Sequence, residues 1–286
     1  MRFGIAENRL GWRARGARKS MVFSISHNKK FFYKLGDLCI GHPTFNALRE
    51  RYADCAHFWL TRPELSGLTG AEAAIDEISA DCLVVDGAPW HRHGREWLHS
   101  GLHPIDFIAQ TVGVALDRRH RYIDVAIHAD VRRRVKCRRL PARYAVIASG
   151  PCYTGGDWPF DDRQVVVNEL LRHGIPCVSV GGRDSAALAR TMDLCSQLTP
   201  IESIAVISDS CLYIGPDTGT TWLACAARDT PKVCVVDRGR KLDGVVGFEG
   251  FLIDENIRDV ERQEGPDACL DAAWDLLQRT CNFAKM

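Results

Sequence analysis

The sequence of 286 residues has a mass of 31.9 kDa and carries 37 basic and 36 acidic side chains, so its formal net charge is +1. With 46% hydrophobic and 26% charged residues it is typical of a globular protein, and a disordered, collagen-like or coiled-coil chain is excluded. No run reaches the ~18 apolar residues of a membrane span and the start lacks the apolar core of a signal peptide, so we expect a cytoplasmic protein.

The length predicts two domains at roughly 100–200 residues each, and the patterns place their boundary near residue 141. In the first domain, residues 1–141, apolar runs alternate with helical patterns. Its first strand fits either 21–26 or 31–34, and the second position lies directly before a Gly-Asp loop. The further predicted elements are a helix at 42–52, strands at 56–62 and 81–87, a short helix at about 104–116 and an apolar stretch at 122–127.

The second domain, residues 142–286, shows a more regular alternation. Runs rich in β-branched residues predict strands at 144–149, 176–182, 211–214 and 232–237. Helical patterns follow the loop that ends at Pro159, start at Asp184 or Ser185, and follow Gly219, whereas 199–210 fits a turn. This order implies right-handed crossovers and a parallel sheet covered on both faces, so we expect two Rossmann-like α/β domains.

Positive charge is concentrated in two segments. Residues 1–30 carry eight basic and one acidic side chain, and residues 117–143 carry ten basic and three acidic ones. The first segment is a basic N-terminal arm. Both segments fit a solvated tail and linker, an anionic membrane surface, or a phosphate-rich ligand. Nucleic acid is disfavoured as a partner because no aromatic-interleaved basic motif accompanies the charge.

The 12 cysteines include no CxxC pair, so a zinc or iron–sulfur site is disfavoured. Most of them lie in apolar runs, where a reduced thiol behaves as a small hydrophobic side chain. His91 and His93 resemble a metal-binding pair, but no third ligand lies near them in the sequence, and we interpret them as part of a solvated loop. We therefore expect no metal.

The segment Ile214–Thr221 has the residues that a phosphate site needs. A predicted strand delivers Gly215, Gly219, several hydroxyls and the free amides of a helix start to one place. The alternative is that Asp217 or Thr218 only caps the helix. The Asp-Thr-Gly motif of aspartic proteases does not fit, because that motif needs a β-rich setting and a paired copy.

Asp37 is the candidate for proton transfer. It follows Lys34-Leu35-Gly36 at the predicted end of the first strand and before a helix. In parallel α/β domains ligands bind beyond the carboxyl ends of the strands, so a carboxylate there fits a general base. A helix-capping aspartate is the other interpretation.

Several of these segments resemble one known family. They occur in the family's order and comprise Leu35-Gly36-Asp37-Leu38, Trp158-Pro159 after a glycine-rich loop, Val180-Gly181-Gly182 after a strand, the segment from Ile201, and Asp217-Thr218-Gly219 before an alanine-rich helix. Over roughly residues 31–280 the chain is similar to glycosyltransferase family 9, the ADP-heptose lipopolysaccharide heptosyltransferases.

This resemblance implies a GT-B fold, in which two Rossmann-like domains face each other across a cleft, and inverting transfer of a heptose-like or hexose sugar. The nucleotide sugar is a co-substrate, so no cofactor is expected, and the acceptor is a glycan, a lipid-linked glycan or a small molecule. By the resemblance Asp37 is the base and the loop at 217–221 holds the donor diphosphate. The full set of candidate donor-site residues is Trp158, Gly182, Arg183, Asp184, Asp217, Thr218, Gly219, Thr220 and Thr221. Arg183 and Lys34 are the candidates for a cation, and Asp184 is a candidate either for binding ribose hydroxyls or for capping a helix.

Two positions depart from the family pattern. Gly155-Gly156-Asp157 precedes Trp158, where the family usually has Lys or Arg, and Trp222 follows the Asp-Thr-Gly loop, where it usually has His. These departures leave two other functions open. One is a catalytically silent nucleotide-sugar-binding or scaffold protein of GT-B fold, and the other is a different GT-B reaction such as epimerisation of a nucleotide sugar.

Overall fold

The computed structural model describes residues 20–24, 35–54, 56–60, 68, 72–73, 82–86, 102–123, 125–151, 158–237, 241–242, 245–246 and 255–280. They form two compact units: the described residues of Met1–Ala126 with Leu242–Val245, and those of Ile127–Lys241 with Val246–Met286. The division lies at residue 126 and not near residue 141, because the part of the basic segment from residue 127 onward belongs to the second unit. The acceptor and donor roles of the two domains stay predictions.

The first unit contains a four-stranded parallel sheet. Its elements are β1 (Ser20–Ser24), α1 (Leu35–Arg51), β2 (Ala56–Leu60), β3 (Glu72–Ala73), β4 (Cys82–Asp86) and α2 (Pro104–Thr111), and the strand order is β3-β2-β1-β4. The predicted strands β2 and β4 are confirmed, and so is helix α2, although it ends earlier than predicted. The described residues of 122–127 form no strand.

The structure differs from the expectation around the predicted Gly-Asp loop, because Gly36 and Asp37 lie in the first turn of a helix. Strand β1 corresponds to the alternative at 21–26, and 31–34 lies outside the described residues. Helix α1 begins seven residues before the predicted start at 42 and continues through Pro43, although a proline removes one backbone hydrogen bond. Burial explains its persistence, because Phe45 is fully buried and stacks on Phe23 of β1 with ring centroids 5.8 Å apart.

The second unit contains a six-stranded parallel sheet of order β12-β9-β8-β5-β6-β7. Its elements are α3 (Ala129–Lys136), β5 (Ala145–Ala148), α4 (Phe160–Arg172), β6 (Cys177–Val180), β7 (Met192–Asp193), α5 (Pro200–Ser208), β8 (Leu212–Pro216), α6 (Gly219–Ala224), β9 (Lys232–Val236), β12 (Ile257–Glu261) and α7 (Gly265–Thr280). Between β9 and β12, the short strands β10 (Lys241–Leu242) and β11 (Val245–Val246) pair with each other. The four predicted strands are confirmed. One face of the large sheet packs on α4 and α7 in a hydrophobic cluster that includes Ile147, Leu170 and Leu276.

The sequence predicts a helix at 184–198, and this prediction is wrong. The segment is irregular apart from the short strand β7. The hydroxyl of Ser179 accepts a hydrogen bond from the Leu188 N–H at 3.2 Å, and the Ser179 carbonyl accepts one from the Leu194 N–H at 3.0 Å. Backbone groups that a helix would pair internally are thus satisfied by the neighbouring strand β6, and Leu188 is buried.

The predicted turn at 199–210 is instead helix α5. The Thr199 side chain accepts a hydrogen bond from the Glu202 N–H, and the Glu202 carboxylate accepts one from the Thr199 N–H at 2.9 Å, which together form a capping box. Pro200 occupies the first helical position, which proline favours. The sequence Thr-Pro-Ile-Glu therefore carried a helix signal that the turn interpretation overlooked.

The Glu202 carboxylate should make stability depend on pH. Its burial raises the pKa, but hydrogen bonds from Thr199 and Arg134 outweigh burial and hold the pKa of Glu202 below its ordinary value. The folded state then binds this proton less readily than the unfolded state, so the stabilisation is present at neutral pH and is lost as the pH falls through the lowered pKa. We expect Glu202→Gln to lower the free energy of unfolding at pH 7 by about 1 kcal/mol.

Urea unfolding from about pH 6 to about pH 2, a range that extends well below the ordinary pKa of a glutamate, provides the measurement. Wild-type protein should lose more stability over this range than Glu202→Gln, because the variant has no carboxylate to protonate. The same change at the exposed Glu255 should leave the profile unaltered. If the free energy of unfolding falls equally with pH in wild type and in Glu202→Gln, protonation of Glu202 does not cause the loss of stability.

Part of the basic segment 117–143, for which a solvated linker was one interpretation, forms helix α3, which packs against α5. Val131 and Val135 are buried, and the Arg134 side chain donates to Glu202 at 2.8 Å. Arg132 pairs with Asp209 at 3.2 Å. The run is therefore a folded part of the second unit whose outer face is exposed.

The eight cysteines whose side chains the structure describes are free thiols, and six of them are buried, as predicted for core side chains. Burial raises the pKa of Cys177 to about 12 and that of Cys195 to about 11, so both remain protonated and unreactive near neutral pH. In the part of the chain that the structure describes, no helix combines the length and apolar character that a bilayer crossing requires.

Candidate functional site at the carboxyl ends of the central strands

Three adjacent strands of the large sheet place two of the predicted donor segments at one edge. In the order β8-β5-β6 all three run in the same direction, so their carboxyl ends lie at one edge. The turn with Gly182, Arg183 and Asp184 follows β6, and the Asp-Thr-Gly loop follows β8. Both segments therefore lie beyond the carboxyl ends of strands of one sheet, and their role in binding a donor stays a prediction.

The Asp-Thr-Gly loop connects β8 to the short helix α6. Thr218 is the N-cap residue, with extended backbone, and its hydroxyl accepts a hydrogen bond from the Thr221 N–H at 3.4 Å. The capping alternative is therefore what Thr218 does in this structure. Asp217, Thr218, Gly219 and Thr220 are all partly exposed, which leaves them accessible to a ligand.

Thr221 points into the protein, and this corrects its assignment to the ligand-facing surface. It is fully buried, its hydroxyl donates to the Pro216 carbonyl, and it lies 2.7 Å from the Tyr213 hydroxyl. Burial raises the pKa of Tyr213 well above its ordinary value, so the phenol stays neutral and can donate to Thr221. Thr221 therefore supports the loop from the protein interior through these hydrogen bonds.

Glycines allow the strand ends to pack without side chains between them. A Cβ atom on Gly215 would lie 2.4 Å from the Tyr213 hydroxyl and 2.7 Å from Cβ of Ala148, and one on Gly181 would lie 2.2 Å from the Ser185 hydroxyl. Either substitution would force neighbouring atoms to move. Gly182 is different, because no atom lies within 4 Å of its Cβ position, so the turn after β6 has open space on that side.

Trp158 is buried and not a surface that a nucleotide can stack on. Its side chain belongs to the hydrophobic cluster and is 2% exposed. Arg163 of α4 covers it, with the guanidinium carbon 5.7 Å from the centre of the ring. The sequence interpretation missed Arg163, although its spacing to Val166, Val167 and Leu170 places it on the buried stripe of the helix. An arginine at an apolar position of such a stripe is the signal that could have revealed it.

Arg183 and Asp184 are exposed on the turn after β6. Asp37 is the third residue of helix α1, so it does not directly follow strand β1, and its side chain lies outside the described part of the structure. Lys34, His91 and His93 also lie outside the described residues. Among the described residues no group of three or more His, Cys, Asp or Glu side chains is arranged to hold a metal ion.

Known proteins resemble the chain in structure but not detectably in sequence. No protein-family model and no curated protein matches it. The glycosyl transferase family 9 structure from Veillonella parvula DSM 2008 is 14% identical, has a TM-score of 0.59, and aligns over 93% of this chain and 100% of its own. ADP-heptose lps heptosyltransferase II from E. coli is 11% identical, with a TM-score of 0.60 and coverages of 91% and 99%.

The E. coli heptosyltransferase WaaC with ADP is similar to the same degree. It is 13% identical, has a TM-score of 0.57, and aligns over 92% of this chain and 100% of its own. At these identities the comparison establishes the fold. The chain therefore has the GT-B fold of the family 9 glycosyltransferases, as the sequence resemblance predicts.

Proposed function

We propose that the protein is an inverting glycosyltransferase that moves a heptose-like or hexose sugar from a nucleoside-diphosphate donor to a glycan, lipid-linked or small-molecule acceptor. The observation that carries this proposal is the alignment over the whole length of family 9 enzymes, one of them solved with ADP. The composition of the strand ends supports it, because small residues and helix-start amides there suit a diphosphate.

The donor diphosphate would lie on the Asp-Thr-Gly loop. The amides of Gly219 and Thr220 begin α6, and the hydroxyls of Thr218 and Thr220 are partly exposed beside them. These groups donate hydrogen bonds to phosphate oxygens and stabilise the charge that builds on the leaving group. Asp184 of the turn after β6 would bind ribose hydroxyls, and Arg183 beside it would supply a cation; both are exposed.

Asp37 would act as general base. In a direct displacement the acceptor oxygen bonds to the anomeric carbon while the bond from that carbon to the diphosphate oxygen breaks. The acceptor hydroxyl proton passes to the Asp37 carboxylate, and the electron pair of the broken bond leaves with the diphosphate. Attack from the face opposite the leaving group inverts the configuration.

Calorimetric titration tests donor binding. ADP, UDP and GDP are titrated separately into the full chain, and we expect one of them to bind. A bound nucleotide at ~100 times its dissociation constant should also stabilise the fold by roughly 2.7 kcal/mol. A folded protein that binds none of the three would overturn the proposal. Release of free nucleoside diphosphate from the matching nucleotide sugar, dependent on an added acceptor, then tests transfer.

A catalytically silent nucleotide-sugar-binding or scaffold protein is the second candidate. The observation that favours it is Trp222, which is buried and stands where the family pattern usually has His. This function predicts nucleotide binding of ordinary strength without acceptor-dependent release of nucleoside diphosphate. The two measurements above therefore separate the candidates.

An anionic membrane surface is the partner we propose for the basic face of α3. Within the described residues, no ion pair or hydrogen bond joins the side chains of Arg133, Lys136 and Arg139 to another side chain, and all three are exposed. Arg132 and Arg134 pair with acidic residues of the same unit and are less available. A lipid-linked acceptor would be displayed on such a surface.

Changing Arg133, Lys136 and Arg139 to Gln should weaken this binding. Each basic side chain near an anionic surface contributes on the order of 1 kcal/mol. We therefore expect the binding constant for phosphatidylserine vesicles, measured by sedimentation at low salt, to fall about 100-fold. Nucleotide affinity should not change.

The control changes three other exposed arginines, Arg172, Arg190 and Arg279, to Gln and should sediment like wild type. Arg172 and Arg279 pair with acidic residues of their own helices. Equal losses in both triple variants would show a nonspecific charge effect, and wild-type protein that ignores the vesicles would refute the membrane proposal.

A further inference from the structure

Tyr213 is a fully buried tyrosine of strand β8, shortly before the Asp-Thr-Gly loop. Its hydroxyl lies 2.7 Å from the hydroxyl of Thr221, in the first turn of α6. The Thr221 hydroxyl in turn donates to the carbonyl of Pro216, the last residue of β8. Side-chain hydroxyls thus join the strand to the helix start across the loop that connects them.

The donor and the acceptor of each contact can be assigned. A carbonyl only accepts, so the single proton of the Thr221 hydroxyl goes to Pro216. Tyr213 must then be the donor in its contact with Thr221. Burial raises the pKa of Tyr213 well above its ordinary value, so the phenol keeps the proton that it donates. Hydrogen bonds arranged head to tail in this way strengthen one another in the protein interior.

The Thr218 hydroxyl lies at the outer end of this network. It accepts the Thr221 N–H at 3.4 Å and lies 3.5 Å from the Thr221 hydroxyl oxygen. Because the Thr221 proton is engaged by the Pro216 carbonyl, Thr221 cannot also donate that proton to Thr218. The proton of Thr218 is at the limit of a hydrogen bond to Thr221, so it can turn to a phosphate oxygen, which accepts only.

The space for the Tyr213 hydroxyl exists because a side chain is missing beside it. A Cβ atom on Gly215 would lie 2.4 Å from the Tyr213 hydroxyl and 2.9 Å from the Thr221 hydroxyl. Cβ atoms in proteins essentially never approach other atoms so closely. Any residue other than glycine at this position would therefore displace the network.

A second buried tyrosine shows the simpler arrangement. The Tyr144 hydroxyl donates to the Val206 carbonyl at 2.7 Å, and one backbone acceptor is enough to satisfy a buried phenol. Tyr213 instead donates to Thr221, which contacts the carbonyl before the Asp-Thr-Gly loop and also the N-cap residue of α6. This contrast indicates that the Tyr213 hydroxyl serves the loop and not only the packing of the core.

We propose that Tyr213 is a positioning residue of the donor site. By donating to Thr221 it holds both ends of the Asp-Thr-Gly loop in the arrangement that presents the Thr218 hydroxyl and the following amides to a diphosphate. This inference rests on the proposed function and deepens it, since it assigns the geometry of the phosphate loop to a residue inside the fold.

The test compares a diphosphate with its nucleoside on matched variants of the full chain. ADP with adenosine, UDP with uridine and GDP with guanosine are titrated calorimetrically into wild type, Tyr213→Phe and Tyr144→Phe. For the pair that binds, we expect Tyr213→Phe to weaken the diphosphate about tenfold, as for the loss of one hydrogen bond to a charged group, and the nucleoside less than about twofold. Tyr144→Phe also removes a buried tyrosine hydroxyl and should lower the melting temperature similarly, but its affinity for both ligands should equal that of wild type.

Two variants of Thr221 test the same contact from its other side. Thr221→Ser keeps the hydroxyl and should keep most of the diphosphate affinity. Thr221→Val keeps the shape without the hydroxyl and should weaken the diphosphate at least as much as Tyr213→Phe. Combining Tyr213→Phe with Thr221→Val should weaken it no further than Thr221→Val alone, because both changes break the same network.

The outcomes separate this inference from the function on which it rests. Wild-type protein that binds no diphosphate would refute the proposed function, and the inference with it. Where wild type binds, unchanged diphosphate affinity in a folded Tyr213→Phe protein overturns the inference alone, and so do equal losses for diphosphate and nucleoside. An equal loss in Tyr144→Phe would also overturn it, since lower stability alone would then explain the effect. If Tyr213→Phe does not fold, equal affinities of Thr221→Val and Thr221→Ser for the diphosphate overturn the inference.

Discussion

Replacement of Asp37 by Asn should lower turnover by about 10²–10⁴-fold while donor affinity stays within about threefold of wild type. Asparagine has nearly the same size as aspartate, but its amide cannot take the proton of the acceptor hydroxyl. The measurement is the acceptor-dependent release of nucleoside diphosphate at saturating donor, with donor affinity determined separately by titration. A loss in turnover without a loss in binding is the signature of a base that acts on the acceptor.

The competing role of Asp37 is structural, because it is the third residue of helix α1. A carboxylate near a helix start stabilises the helix by typically 0.3–1 kcal/mol, so Asp37→Asn should lower the melting temperature only slightly. Asp267 is also the third residue of its helix, α7, and is exposed. Asp267→Asn therefore makes the same change to a helix start, and its turnover should equal that of wild type. Near-normal turnover in Asp37→Asn would assign Asp37 to the helix start and the base to another residue.

Strands were predictable from the sequence because each central strand is a short apolar run. Ala145–Ala148, Cys177–Val180 and Lys232–Val236 are buried at every position, as expected for a parallel sheet covered on both faces. Helices were less predictable. The segment 184–198 has helical composition, but the side chain and carbonyl of Ser179 satisfy its backbone, and this tertiary contact leaves no local trace in the sequence.

The location of the candidate site was predictable from the sequence, but the orientation of its side chains was not. Loops that follow parallel strands lie at one edge of the sheet, so the shared edge of Gly182 and Asp217 followed from the prediction of a parallel sheet. Which hydroxyl faces a ligand did not follow, because Thr218, Thr220 and Thr221 are equivalent in the sequence. The burial of Thr221 depends on Tyr213, whose hydroxyl reaches it from the preceding strand. Such a contact between a strand and the helix start that follows it cannot be read from the spacing of residues.

Substitution of Gly219 by Val should weaken nucleoside-diphosphate binding by about 100-fold or more. Hydrogen bonds to a charged group contribute about 1.5–3 kcal/mol each, and a branched side chain at the start of α6 would keep a phosphate from approaching the amides of Gly219 and Thr220. Because Gly219 is partly exposed and lies at a helix end, we expect the variant to fold with a nearly unchanged melting temperature. Titration calorimetry gives the affinity, and thermal unfolding without ligand gives the stability.

Two further variants show which groups of the loop bind the phosphate. Gly219→Ala adds a single methyl group and should reduce affinity less than Gly219→Val, because the obstruction grows with side-chain size. Thr220→Val removes one hydroxyl at constant shape and should reduce affinity by at most about tenfold. A large loss in Gly219→Val with a small loss in Thr220→Val would identify the backbone amides as the main ligands of the diphosphate. Unchanged affinity in a folded Gly219→Val protein would place the nucleotide elsewhere, since no diphosphate held by these amides could tolerate a branched side chain between them.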